Sequence, residues 1–230
     1  MRLKLNLDPK ISVIKKRLDG VKRIIAVSGF KGGVGKSSTA CVLALLLAQN
    51  GKKAGLMDLD FNGTSDEIIL GLKKEFPQEI EGLEPPLISG VKFMTAAFFA
   101  RNKAVNLRGE EITNAILELF AVTRWQNLDF LILDMPPGFS DAALDIIRFI
   151  PRAEVIIVST PSALSQNIIA KAKAALKNFN IKITGSIKNM SPEGINFDGK
   201  LEAAYGRPAK LLKTRFAADL KKEIERLSLY

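Results

Sequence analysis

Histidine is absent from this 230-residue chain, and cysteine occurs once, as Cys41. An intrachain disulfide is therefore excluded. So is a zinc, nickel or iron–sulfur centre built from this chain alone, because those metals prefer imidazole and thiolate ligands. Hard, oxygen-bound cations such as magnesium remain compatible with the composition. Long apolar runs are also missing. The stretch Ala40 to Ala48 falls far short of the roughly 20 residues that a membrane span needs. The start, MRLKLNLDPK, is charged throughout and lacks the apolar core of a secretory signal, so the expectation is a cytoplasmic protein.

The chain has 47% hydrophobic and 25% charged residues, enough for one sizeable core and one domain spanning 1–230. Its net charge of +10 could attract nucleic acid, anionic lipid or an acidic partner. The lysines are dispersed along the chain, however, which favours a solvated basic surface.

Apolar strands alternate with helices along the chain. Asp8-Pro9 with Ile11, Ile14 and Leu18 predicts a helix over 8–20, capped by Asp8 and stopped by Gly20. Strands are expected at Arg23–Ser28, Ala54–Asp58, Val91–Thr95, Phe130–Asp134, Val155–Ser159 and Ile181–Ile187, and helices at Lys36–Asn50, Glu110–Phe120, Asp141–Ile150 and Ser165–Asn178. This alternation predicts an α/β fold, with a mostly parallel sheet covered by helices on both faces. The segments Gly71–Gly90 and Ser191–Gly206 are expected to be loops.

The stretch SGFKGGVGKSS, residues 28–38, joins the first strand to the helix behind it. Such a loop turns backbone N–H groups and the positive end of a helix dipole toward one anion. Gly32, Gly33 and Gly35 permit close approach, Lys36 would neutralise the β and γ phosphates, and the Ser37 hydroxyl would ligate magnesium. Phe30 stands where the usual pattern has its first glycine; Gly29 is expected to absorb that turn, making Phe30→Gly mild. Asp58, Asp60 and Asp134 end two strands and should share the sheet's carboxyl edge with this loop. Singly, each could be a turn or capping residue; together they suit a magnesium nucleotide.

The segments KGGVGKSS, DLDFNGTSD, DMPPGFSD, STPSALS and IKNMS resemble the successive motifs of the Mrp and MinD branch of the deviant Walker P-loop ATPases, relatives of ParA and the nitrogenase iron protein. The resemblance runs from about Asp8 to Ser191. Within that branch, EFPQEIEGLEPP, VKFMTAAFF, LRGEEI, TRW and LDFLILDMPPGFSDAALDIIRF look like the archaeal Mrp/MinD-type HypB, a nickel-insertion ATPase of [NiFe] hydrogenase maturation.

The resemblance implies that Gly32, Gly33, Val34, Gly35, Lys36, Ser37 and Ser38 hold the nucleotide, and that Lys31 reaches across an ATP-bound homodimer to the other subunit's phosphates. It implies that Asp60 orients the attacking water and that Ser37, Asp58 and Asp134 serve magnesium, mostly through water. Pro136–Asp141, with Pro137 and Gly138 nearest the nucleotide, would sense the γ-phosphate, and Asn189 would contact adenine. Lys188-Asn189 continues as Met190-Ser191 and so lacks the guanine-reading Asn-Lys-x-Asp pattern, which favours ATP.

The chain departs from Mrp proteins in lacking a Cys-x-x-Cys pair in NMSPEGINFDGK, so any metal centre it serves must be held by a partner. The connection after Asn189 is short and polar, and offers no assignable base contact. Leu212, Phe216, Leu220, Ile224 and Leu227 recur at helical spacing and predict a helix over 209–230. Its interspersed Asp219, Glu223 and Glu225 favour packing on the sheet over lying on a membrane. Cys41 and Trp125 read as core residues.

The expectation is a slow, dimeric, magnesium-dependent ATPase acting as a nucleotide switch in nickel insertion, with a metallochaperone partner. The alternatives are a MinD/ParA-like positioning ATPase on membrane or DNA, and an Mrp-type iron–sulfur cluster assembly factor.

Overall fold

The computed structural model describes residues 9–29, 31–61, 63, 65–73, 75–100, 110–138, 141–161, 169–170, 173–174 and 176–229. Its elements are α1 (Pro9–Leu18), β1 (Val21–Gly29), α2 (Lys36–Gln49), β2 (Ala54–Asp58), α3 (Asp66–Leu70), β3 (Gln78–Glu79), β4 (Leu83–Glu84), β5 (Leu87–Ile88), β6 (Val91–Thr95), α4 (Ala97–Ala100), α5 (Glu110–Val122), β7 (Leu128–Asp134), α6 (Asp141–Phe149), β8 (Ala153–Ser159), β9 (Lys182–Lys188), a 3₁₀ turn (Glu202–Ala204), α7 (Pro208–Leu211) and α8 (Arg215–Arg226).

Seven strands form one sheet in the order β5-β6-β2-β7-β1-β8-β9. Only β5 is antiparallel; the other six run parallel. Side-chain alternation divides the interior into two layers, one on each face of the sheet. Ile25 and Val27 of β1 join Ile132 of β7 and Val158 of β8 on one face, while Ile24, Ala26, Leu133 and Ile157 point to the other. Both faces are covered, so the strands read as continuous apolar runs.

On the first face, α2 is apolar nearly all round because it lies between the sheet and α8. Its Val42 to Leu47 run shares a core with Phe216, Leu220 and Ile224. The apolar side of α8 is thereby buried, as packing on the core requires and a membrane-surface role does not. Cys41 is buried in the same layer, and Trp125 is fully buried, its ring over Gly55 of β2. No helix among the described residues is long and apolar enough to cross a membrane.

Three expectations need correction. The helix expected over 209–230 is two helices, α7 and α8, separated at 212–214, where the Thr214 hydroxyl accepts the Ala217 N–H at 3.2 Å and caps α8. The loop expected over Gly71–Gly90 contains β3, β4 and β5, and β5 extends the sheet by pairing with β6. The 3₁₀ turn interrupts the loop expected over Ser191–Gly206. The Asp8 cap, Phe30 and residues 139–140 of the second switch lie outside the described residues. The same holds for the expected Ser165–Asn178 helix, apart from 169–170, 173–174 and 176–178, which are helical.

Candidate nucleotide and cation site

The strand order reverses direction around β1, whose neighbours β7 and β8 lead to opposite sides of the sheet. A crevice forms outside the carboxyl ends of parallel strands at such a point. The glycine loop leaves β1 there and enters α2 at Lys36. Asp58 ends β2, Asp134 ends β7, and the two are register partners, so strand pairing alone places their carboxylates side by side.

The loop's shape depends on Gly33 and Gly35, with φ of 75° and 84°. L side chains rarely adopt that region. A Cβ on Gly35 would also collide with the Asn189 amide nitrogen. That amide donates to the Val34 carbonyl at 2.8 Å, and the Met190 N–H donates to its oxygen at 2.9 Å. Asn189 therefore ties the end of β9 to the loop from 155 residues away. The neighbouring Val34 side chain is buried, while Lys31 and Gly32 are exposed at the loop's tip.

At the first turn of α2, the Lys36 ammonium donates to Asp134 Oδ1 at 2.8 Å and the Ser37 hydroxyl to Asp134 Oδ2 at 2.6 Å. Burial alone would lower the Lys36 pKa. The charge and hydrogen bond of Asp134, with smaller contributions from Asp66 and Asp60, outweigh burial and leave it raised. Burial, then the Asp134 charge, pushes Asp58 up to about 8, against the opposing Asp60 N–H and Lys36. Asp58 accepts that N–H at 2.9 Å and the Thr95 hydroxyl at 3.3 Å. Asp60 itself is half-buried, farther out along the same edge. Across the crevice, the Gly138 N–H donates to the Gly29 carbonyl at 3.0 Å, fastening the segment after β7 to the base of the loop, and Pro137 is exposed beside it.

Beside the loop is a cavity of about 370 Å³ lined by Gly33, Gly35, Ser38, Asn189, Phe197 and Tyr205, among others. The Ser38 and Tyr205 hydroxyls are 2.7 Å apart. The segment after Asn189, from which no base contact is assignable in the sequence, thus forms one wall of the cavity. Phe197 is 69% exposed on that wall. Nothing in the local sequence ties Tyr205 to a serine 167 positions earlier.

One acid carried no expectation. Asp66, at the start of α3, is fully buried, and its oxygens lie with those of Asp58 and Asp134 within 4.8 Å of one another. All the donors of this cluster are oxygens, which suits magnesium and not a soft metal.

Comparison with known proteins places this geometry. The model of the family described as ParA, NUBPL iron-transfer P-loop NTPase, matches residues 20–217. An iron–sulfur cluster carrier protein of Pseudomonas fragi is 35% identical over 193 residues, 82% of this chain and 67% of that protein. The Escherichia coli K12 iron–sulfur cluster carrier protein is 34% identical over 82% of this chain and 52% of its own length. The chain thus spans about half to two thirds of these relatives.

Among solved structures, a nucleotide-binding protein of Archaeoglobus fulgidus in complex with ADP is 35% identical, with a TM-score of 0.69 over 80% of this chain and 74% of that one. The cell-division ATPase MinD of Pyrococcus furiosus, 20% identical with a TM-score of 0.63 over 89% and 99% of the two chains, shares the fold. The nickel-insertion and hydrogenase-maturation reading is overturned, because the matching relatives are iron–sulfur cluster carriers. The HypB-like segments VKFMTAAFF, TRW and LDFLILDMPPG build β6, β7 and the core around Trp125, so they report the shared architecture and not the metal served. The cradle, the paired strand-end carboxylates and the sequence match together make this chain a member of the NUBPL iron-transfer P-loop NTPase family.

Proposed function

We propose that this chain is an ATPase whose nucleotide state switches a homodimer, and that the switch serves iron–sulfur cluster delivery with the cluster held by a thiol-bearing partner. The observation that carries this reading is the Lys36–Asp134–Ser37 constellation at the N-terminus of α2, with Lys36 and Asp134 buried and Ser37 half-buried. Without phosphate, Asp134 satisfies Lys36. ATP would bring a stronger anion into the cradle, drawing Lys36 to the β and γ phosphates and freeing the Asp134 and Ser37 oxygens. Bound magnesium would neutralise phosphate charge, held by Ser37 with Asp58 and Asp134 behind it. Asp60 would accept a hydrogen bond from the attacking water and orient it. Exposed Lys31 would cross to the second subunit's phosphates, and Pro137 and Gly138 would register γ-phosphate loss through the bond from Gly138 to the loop's base. Ser38 and Asn189 would form the cradle's side next to adenine.

The cargo half of the proposal rests on kinship with cluster carriers and on the ligand inventory. A cluster needs several thiolates, and this chain offers one cysteine, buried in α2. The cluster is therefore cargo on another protein, which takes the place of the metallochaperone expected from the sequence.

The test has two arms. Magnesium-dependent ATP turnover should fall about 100-fold or more in Lys36→Ala and Asp60→Ala; turnover equal to wild type in both would end the ATPase reading. Cluster transfer from a loaded donor to an apo-acceptor, assayed anaerobically, should accelerate with ATP and the wild-type chain but not with Lys36→Ala. Transfer indifferent to nucleotide would remove the delivery role while leaving the ATPase intact.

A further inference from the structure

Asp66 has no part in the scheme above, yet it is the least satisfied group in the crevice. It is 0% exposed, no N–H or O–H group reaches either of its oxygens, and its one polar neighbour besides the other acids is the weakly donating Cys41 thiol. Asp58 receives the Asp60 N–H and the Thr95 hydroxyl, and Asp134 receives Lys36 and Ser37. A buried carboxylate lacking such donors is costly, and it is tolerated where a cation supplies the missing partner.

Three rigid points hold the cluster: the end of β2, the start of α3 and the end of β7. Hard divalent cations bind oxygen at about 2.0–2.6 Å, which sets oxygens around one ion about 3–5 Å apart. The three carboxylates present oxygens within 4.8 Å of one another. They carry one ammonium, that of Lys36, among them.

We propose that Asp58, Asp66 and Asp134 form a direct, all-carboxylate site for a hard divalent cation of the magnesium or manganese class, occupied without nucleotide. The ion that accompanies ATP would share Asp58 and Asp134 only from behind, mostly through water, and take phosphate oxygens and Ser37 as its direct ligands. The cation competes with Lys36 for Asp134, so loading it releases the ammonium toward the cradle before ATP arrives. Asp66 is the discriminating residue, because it has only the weakly donating Cys41 thiol to give up. The inference rests on the geometry of the acids and stands whether or not the chain hydrolyses ATP.

The experiment titrates Mn²⁺ into the full chain after removal of nucleotide and metal, reading free Mn²⁺ by electron paramagnetic resonance and binding heat by calorimetry. Wild type should bind one Mn²⁺ per chain, displaceable by Mg²⁺, and its melting temperature should rise on binding. Asp66→Asn should weaken binding by at least about 10-fold and abolish the melting shift, and Ser37→Ala should retain both. Asp66→Ser serves as a second variant, and near-ultraviolet circular dichroism establishes that each is folded. No stoichiometric binding by wild type overturns the proposal on its own, as does equal affinity in a folded Asp66 variant. Affinity for an ATP analogue is measured separately; its absence would end the ATPase reading and leave the Mn²⁺ result standing.

Discussion

At Gly35, backbone conformation and long-range packing impose the same demand. Its φ of 84° disfavours any side chain, and the space a Cβ would take is filled by Asn189. Gly35→Ala should cost about 1–2 kcal/mol from the left-handed conformation alone. It should also loosen the bond from Asn189 to Val34, so chemical denaturation and ATP-analogue titration should both register the change. A Gly35→Ala protein as stable and as tight-binding as wild type would contradict this account. Asp66 leads to the opposite sign. Burial, then the Asp134 and Asp58 charges, pushes the Asp66 carboxyl well above the usual range, so at neutral pH the folded chain must either bury its charge or take up a proton. Asn does neither, and metal-free Asp66→Asn should be more stable than wild type there, by roughly 1–3 kcal/mol in urea unfolding. Lys36, Ser37 and Asp134 are legible as motif residues because their chemistry is local to a loop and a strand end. Asp66 is not, because an acid at the start of a short helix reads as an ordinary helix start, and only tertiary packing shows that no N–H or O–H donor reaches it.

Among the elements, α8 shows how spacing can be right while a boundary is wrong. Leu212, Phe216, Leu220, Ile224 and Leu227 keep a helical period straight through the break at 212–214, so periodicity does not reveal it. Thr214 does, by taking the Ala217 N–H in an extended conformation with ψ of 158°. Thr214→Ala should cost about 0.5–2 kcal/mol through loss of the cap. Leu220→Ala should cost about 2–5 kcal/mol, because Leu220 is fully buried in the layer shared with α2. Equilibrium unfolding measures both; a larger loss at Thr214 than at Leu220 would invert the assignment of cap and core. The short α3 and α4 escaped the sequence pattern because four or five residues are too few to display a period. Strands β2 and β6 were legible to the residue, since each is a five-residue, mostly apolar run that opens after Lys53 or Gly90 and closes on a polar residue, Asp58 or Thr95.

Across the whole molecule, the sheet is tied by an ionic clamp on β1, β8 and β9. Glu154 accepts Arg23 at 3.1 and 3.0 Å, the Thr184 hydroxyl at 2.8 Å and Lys182 at 3.0 Å. Burial pushes the Glu154 pKa up, but these donors outweigh it and hold the carboxyl down at about 2. Because the folded value lies below the usual 4.5, the folded state binds fewer protons than the unfolded chain. The clamp's stability is therefore present above about pH 4.5 and lost as pH falls toward about 2. Melting temperatures over that window should drop less steeply in Glu154→Gln than in wild type, and parallel curves would show that the clamp contributes nothing. The clamp spans β1, β8 and β9, three neighbours whose order reflects the crossovers of the chain.

The local pattern of this chain determined that strands and helices alternate, that a glycine loop opens α2, and that Asp58 and Asp134 end strands on the loop's side. Each of those statements needs only neighbouring residues, because hydrophobic period and loop chemistry are properties of short segments. The tertiary structure decided that Asp66 joins the two strand-end acids, that Asn189 fixes the loop by its amide, and that Tyr205 meets Ser38 beside the cavity. Those depend on which surfaces exclude water and which distant groups arrive together. Burial and partnership are set when the two faces of the sheet are covered, and no stretch of sequence carries that information by itself.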